Sequence, residues 1–187
     1  MWWEVVFIRR TSKYFLLLPV FLWCLLIFTL SQQTYSEQSI VPFLHKVAPK
    51  EVIAGYLPDM TIHYNGATIV ARQDPYRFVE FLFRKGSHLG VYMVLAAAAA
   101  YAFMAIPALR VKGWAVPSAV VGFTLLVSIL DERLQSASGM RTPAIQDVII
   151  DLVGATGGLL IATGTKRWWV NRKGRRENKE QPRGKEG

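Results

Sequence analysis

Cysteine is nearly absent from this chain: Cys24 stands alone among 187 residues. A single thiol excludes both an intramolecular disulfide framework and a CxxC-type zinc site. Lying inside an apolar run, Cys24 reads as a packing residue. Also missing are a P-loop, a GxSxG elbow, a GxGxxG turn and an HExxH helix, so neither an ATP-driven pump nor a recognisable hydrolase is indicated. No repeat with a period of 20 to 50 residues is visible. Charge is scarce, at 19% of residues, while 52% are hydrophobic and the mean hydropathy is +0.24. Such a composition excludes a disordered chain, and the clustering of its apolar residues argues against an ordinary soluble domain.

The apolar residues fall in four runs, at about 14–30, 89–106, 114–130 and 148–165. Each has close to the roughly 20 residues that a helix needs to cross about 30 Å of hydrocarbon. Asp151 is the one charged residue within them, near the start of its run. The first run follows Arg9, Arg10 and Lys13, as a signal peptide would, but it is long and no A-x-A site follows, so it is expected to be retained. The expectation is an integral, multi-pass membrane protein.

Basic residues set its orientation. Arg9, Arg10 and Lys13 precede the first run, Arg110 and Lys112 lie in the second connection, and nine more lie between Lys166 and Gly187. Four crossings put these 14 on one face, against eight on the other. The excess marks the cytoplasm, with both termini inside. Trp2, Trp3, Trp114, Trp168 and Trp169 fall at the same boundary, where amphipathic rings prefer to sit. The basic segment 166–187 reads as a disordered, solvated anchor attracted to anionic lipid and not as a nucleic-acid arm.

The outer loop, 31–88, is too long for a plain turn and should have its own structure. Val41 to Leu57 contains Pro42 and Pro49 and predicts one short interfacial helix at most. Thr61 to Val70 predicts a β-hairpin, since Asn65-Gly66 is the dipeptide a type I′ turn favours and β-branched or aromatic residues flank it. From Asp74-Pro75 a helix is expected to run into the second span.

Polar residues gather at the outer ends of the spans. Ser31 and Gln32 end the first. Arg84, Lys85 and His88 enter the second, and Arg84, His88 and Tyr92 share one helix face at i, i+4, i+8. Asp131, Glu132, Arg133 and Gln135 leave the third. Gly139, Arg141 and Thr142-Pro143 lead to the fourth, which opens with Asp147 and Asp151 one turn apart. Charges at such depth are costly unless paired, so they should face each other.

This ordered set is similar to that of the VanZ-like membrane proteins: Ser31-Gln32, Arg84-Lys85-Gly86-Ser87-His88 with Tyr92, Asp131-Glu132 with Gln135, Gly139-x-Arg141, and Asp147 with Gly154. The resemblance spans about residues 15 to 165. It departs at Asp151, where a common family pattern has Asn, which gives this chain an extra carboxylate. The family's founding member is linked to glycopeptide resistance, notably to teicoplanin. The resemblance therefore implies a role in the envelope of a Gram-positive-type bacterium, without supplying a reaction.

The expectation is an all-α, polytopic four-helix membrane bundle over 14–165, whose extracytoplasmic loop carries a small β-hairpin. Its outer cluster is read as a site for an anionic lipid or a lipid-linked phosphate in the bacterial cell membrane. Arg84, Lys85 and Arg141 would meet the phosphate oxygens and His88 and Tyr92 would orient it. Ser31, Gln32, Asp131, Glu132, Gln135, Asp147 and Asp151 would support them. An alternative is an enzyme of lipid or envelope chemistry that uses His88 with Asp131 or Glu132 as acid and base. A third is a purely structural cluster in which the carboxylates pair with Arg84, Lys85, Arg133 and Arg141. A His and several carboxylates could also bind a divalent cation, but no local ligand spacing supports that, so no metal is expected. No cofactor motif is present, and the basic tail follows a span, so neither cofactor nor nucleic acid is expected. Oligomeric state stays open.

Overall fold

The computed structural model describes residues 15–110, 112–137 and 144–180, of which 110 and 177–180 by backbone alone. Four long helices dominate: α1 (Leu17–Ser31), α5 (Pro75–Ala105), α6 (Ala115–Ala137) and α7 (Ile145–Glu180). Between the first two lie α2 (Tyr35–Gln38), α3 (Val41–Val47), α4 (Lys50–Tyr56) and a hairpin of β1 (Thr61–Tyr64) and β2 (Ala67–Val70). Among the described residues the protein is all-α apart from this hairpin, as the sequence predicts.

α5, α6 and α7 are each long and apolar enough to cross a membrane. α1 passes the same test together with the segment Tyr35–Val47, to which it is bent by 114°. Among the described residues there are thus three helices able to span, or four if that bent pair counts as one, and the chain is a multi-pass membrane protein. Its surface supports this, since Phe21, Leu22, Leu25, Leu126, Ile149, Val153, Leu160 and Ile161 all point outward. Helices that are apolar on their outer faces are built for lipid.

α5 is the hub, packed on α1, α6 and α7, with its most extensive contact along α7. Alanines make this possible: Ala96, Ala99 and Ala100 are fully buried against Val120, Ala155 and Ala162. Gly154 and Gly158 bring α7 closer still, as a Cβ at either position would fall onto the carbonyls of Leu89 and Met93. In lipid no hydrophobic force separates helix contacts from tail contacts, so close packing of this kind carries the association. We expect Gly154→Ala and Gly158→Ala each to destabilise the bundle by about 1–3 kcal/mol, the usual cost of overpacking. Gly164 on the same helix has open space around it, so Gly164→Ala should melt like wild type. Equal melting of all three variants in detergent would refute this packing.

The hairpin matches its prediction. Asn65 and Gly66 both take positive φ, 46° and 78°, and Tyr64 pairs with Ala67 across the turn. Its inner face joins a small core of Ile69, Ala71 and Phe78 with Leu57, Ile62 and Phe81, which seats it on the first turns of α5. That helix begins at Pro75, directly after Asp74, where the missing N–H of proline costs nothing.

Two expectations need correction. Residues 41–57 form two helices, with α2 ahead of them, where one was predicted. Pro42 lies in the first turn of α3 and Pro49 is the N-cap of α4, so each proline starts a helix and does not merely interrupt one. The second correction concerns the basic tail, which continues α7 as helix as far as Glu180. Once the span has formed, adding Lys, Arg and Glu residues needs propagation only, with no new nucleus. Trp168 and Trp169 stay exposed on this extension, and the Arg172 guanidinium lies 5.0 Å from the Trp168 ring.

Candidate functional site

The end of α1, the first half of α5, the end of α6 and the start of α7 converge at the hairpin end of the bundle, and the polar residues sort there into two groups. The deeper one is built on two carboxylates. Asp151 of α7, 3% exposed, accepts from Ser128 Oγ at 2.6 Å and faces His88 Nδ1 at 3.1 Å. Asp131 of α6, also 3% exposed, accepts from Tyr92 Oη at 3.1 Å and from Ser31 Oγ, and Gln135 hydrogen-bonds it as well. Four helices are thereby joined through polar atoms at a depth where an orphan would be costly. The expected face Arg84, His88, Tyr92 and the expected pair Asp131, Gln135 both hold, for all five line one cavity of about 210 Å³. Ile27, Leu30, Phe83 and Val91 form its apolar wall.

The second group lies nearer the hairpin, around a polar cavity of about 400 Å³. Asp147 on the first turn of α7 takes the Lys85 ammonium in an ion pair and a hydrogen bond of 2.6 Å from Tyr64 Oη. The same ammonium sits 4.0 Å from the centre of the Tyr64 ring. Burial first, then the hydrogen bond to and the charge of Asp147, hold the Tyr64 phenol above its ordinary range, so it stays protonated and donates. Glu132 accepts the Ala144 N–H at 2.5 Å, just before α7 begins, where a carboxylate also meets the positive end of the helix dipole. Asp131 and Glu132 are sequence neighbours yet line different cavities, as the 100° step of a helix requires.

The remaining candidates are dispersed. Gln32 is exposed at the C-cap of α1, outside both cavities. Lys85, read as an anion ligand, is engaged by Asp147. Arg141 and Gly139 lie outside the described residues. Arg84 is half-buried, lies 5.1 Å from the Tyr35 ring centre and lines both cavities.

Sequence reading missed Ser128, Tyr64, Tyr35, Arg77 and Glu80. Ser128 had a signal, since it precedes Asp131 by three residues on the same face as Gln135. Glu80 had one too, as the lone charge within Phe78-Val79-Glu80-Phe81-Leu82-Phe83. Tyr64 and Tyr35 had none, because their partners are 83 and 45 residues away.

Chemically, the deep group can position and exchange a proton, as the His88–Asp151 pair leaves Nε2 as the ring nitrogen available to the cavity. His88, Asp131 and Asp151 also bring one ligand atom each within 4.8 Å of one another. The three come from three helices, which is why no local spacing announced them. Their oxygens have Ser31, Tyr92 and Ser128 as hydrogen-bond donors.

The VanZ/LLP1 family model matches residues 15–168 of the chain. No curated protein and no solved structure matches it.

Proposed function

Since the chain belongs to the VanZ/LLP1 family, its site is to be read in a membrane, and we propose that it recognises the acidic head group of an anionic lipid or lipid-linked phosphate. The carrying observation is the position of Arg84, where the apolar-walled cavity meets the polar one. Among the described residues the ion pairs are Lys85–Asp147 and His88–Asp151, which leaves the Arg84 guanidinium without a carboxylate at that junction. Guanidinium groups suit phosphate oxygens through paired N–H donors. Asp131 and Asp151 make the deep end of the first cavity negative, so an acidic group fits at Arg84, with acyl chain along Ile27, Leu30, Phe83 and Val91. His88 and Tyr92 then bound the head group from below.

In this reading the hairpin end faces out of a bacterial cell and both termini lie in the cytoplasm, and head-group capture is the route by which the protein affects glycopeptide susceptibility. A reporter inserted at Asn65 should therefore be external and one after Gly187 internal. Arg84→Ala should lower retention of phosphatidylglycerol by the purified protein about tenfold or more, the worth of one charge-assisted contact. Native mass spectrometry reads this directly, and unchanged retention in a folded variant would overturn the reading.

One observation favours a second reading, acid–base chemistry on a lipid: the buried Asp151 behind His88 has the form of an orienting carboxylate. His88→Gln that retains lipid but loses the cellular phenotype would favour it.

A further inference from the structure

Glu80 is used by nothing described so far. It is 2% exposed, on α5 between Arg77 and Arg84 and on their side of the helix. Its Oε2 accepts from Tyr35 Oη at 2.5 Å. Its Oε1 has no hydrogen-bond partner, the one such buried side-chain atom among the described residues. A buried oxygen without a donor costs about 1–3 kcal/mol, and more when charged, so natural folds rarely leave one unless something completes it. Glu80 lines the polar cavity of about 400 Å³ and a neighbouring one of about 420 Å³, and Arg77 lines both as well. Neither Arg77 nor Arg84 is within ion-pair distance of it, since the pairs among the described residues are Lys85–Asp147 and His88–Asp151.

This face offers an acceptor that wants an N–H donor, set between two guanidinium groups that want acidic oxygens. A phosphate alone serves the arginines, leaves Oε1 orphaned and repels it. An ammonium alone serves Oε1 and ignores the arginines. A group carrying both satisfies all three.

We propose that the cavity takes a zwitterionic head group, a primary ammonium close to a phosphate. The ammonium donates to Glu80 Oε1 and the phosphate lies between Arg77 and Arg84. This rests on the reading of Arg84 given above and adds the sign and chemistry of the head group's far end. Phosphatidylethanolamine has this chemistry and so does free phosphoethanolamine. Phosphatidylcholine has the charge but no N–H, and phosphatidylglycerol has no ammonium.

The test uses the full chain in detergent micelles, with binding of these four compounds measured by native mass spectrometry and competition. Phosphatidylethanolamine should bind about 10- to 100-fold tighter than phosphatidylcholine, the worth of one hydrogen bond to a charged group. Glu80→Gln should erase that preference and bind phosphatidylglycerol at least as well as wild type, because a repelling carboxylate is gone, while Arg84→Ala weakens all three lipids. Displacement of the lipid by millimolar phosphoethanolamine would identify a soluble zwitterion as sufficient; failure to displace would identify the lipid form. Equal binding of phosphatidylethanolamine and phosphatidylcholine by wild type, with phosphatidylglycerol still bound, overturns the ammonium site and spares the anionic one. Loss of all three lipids from wild type overturns both. The wild-type comparison decides even if Glu80→Gln fails to fold.

Discussion

Lys85→Met is expected to cost the bundle about 3–5 kcal/mol, because it leaves the Asp147 carboxylate buried and without its cation. Both side chains are largely covered, with 17% of Lys85 and 13% of Asp147 exposed. Tyr64 would remain as a donor to Asp147, but one neutral hydrogen bond replaces an ion's partner poorly. Asp147→Leu should cost less, since the Lys85 ammonium keeps the Tyr64 ring 4.0 Å away and the Phe81 ring 5.5 Å away, and cation–π contact is worth about 0.5–2 kcal/mol. The double variant Lys85→Met/Asp147→Leu should regain much of the loss, because apolar residues often replace a covered ion pair at little cost. Thermal melts in detergent check the order: Lys85→Met lowest, then Asp147→Leu, with the double variant above either. Additive losses in the double variant would show that the pair is not coupled.

That ion pair also separates two roles that charge alone had merged. The sequence places Arg84 and Lys85 side by side and invites the same job for both. On a helix they point about 100° apart, so Lys85 reaches α7 and Asp147 while Arg84 turns toward Tyr35 and the cavities. Spans, hairpin and the start of α5 were legible because hydropathy, the Asn65-Gly66 turn and Pro75 each act locally. The shared face of Arg84, His88 and Tyr92 was legible by helical period. The pairings across helices were not. Tyr64–Asp147, Tyr35–Glu80 and Ser31–Asp131 join residues 83, 45 and 100 positions apart, and periodicity within a helix says nothing about which face meets which. The helical tail was missed for a different reason, since composition reports how well a segment is solvated and not whether a helix already formed beside it extends into it.

Asp151 shows what the pairings explain. Its carboxylate has two hydrogen-bonding neighbours, Ser128 and His88. An amide at that position would accept from one and present N–H to the other, so the carboxylate changes how His88 is held more than it changes net charge.

Asp131→Leu should have the other large effect, and its contrast with Asp131→Asn reveals what the residue does. The carboxylate gathers Ser31 from α1, Tyr92 from α5 and Gln135 from its own helix. Leucine leaves these without an acceptor, at about 1–3 kcal/mol for each group that finds no other. Ser31 has one, the Ile27 carbonyl at 2.7 Å, so a total near 3 kcal/mol is expected. The loss falls on the seam between α1 and α5–α6, where Trp23 Nε1 also donates to the Val91 carbonyl at 2.9 Å. α1 supplies Ile27, Leu30 and Ser31 to the first cavity, so loosening that seam should release bound lipid as well as lower the melting temperature. Asparagine keeps the shape, and hydroxyls can turn to accept from its amide. Its stability should therefore stay within about 1 kcal/mol of wild type. If the negative charge below Arg84 sets where the head group sits, Asp131→Asn should still alter lipid selectivity, raising retention of phosphatidylglycerol, because an acidic head group can then move deeper. An Asp131→Asn protein that melts as low as Asp131→Leu would instead show that the ionised carboxylate itself holds α1 in place.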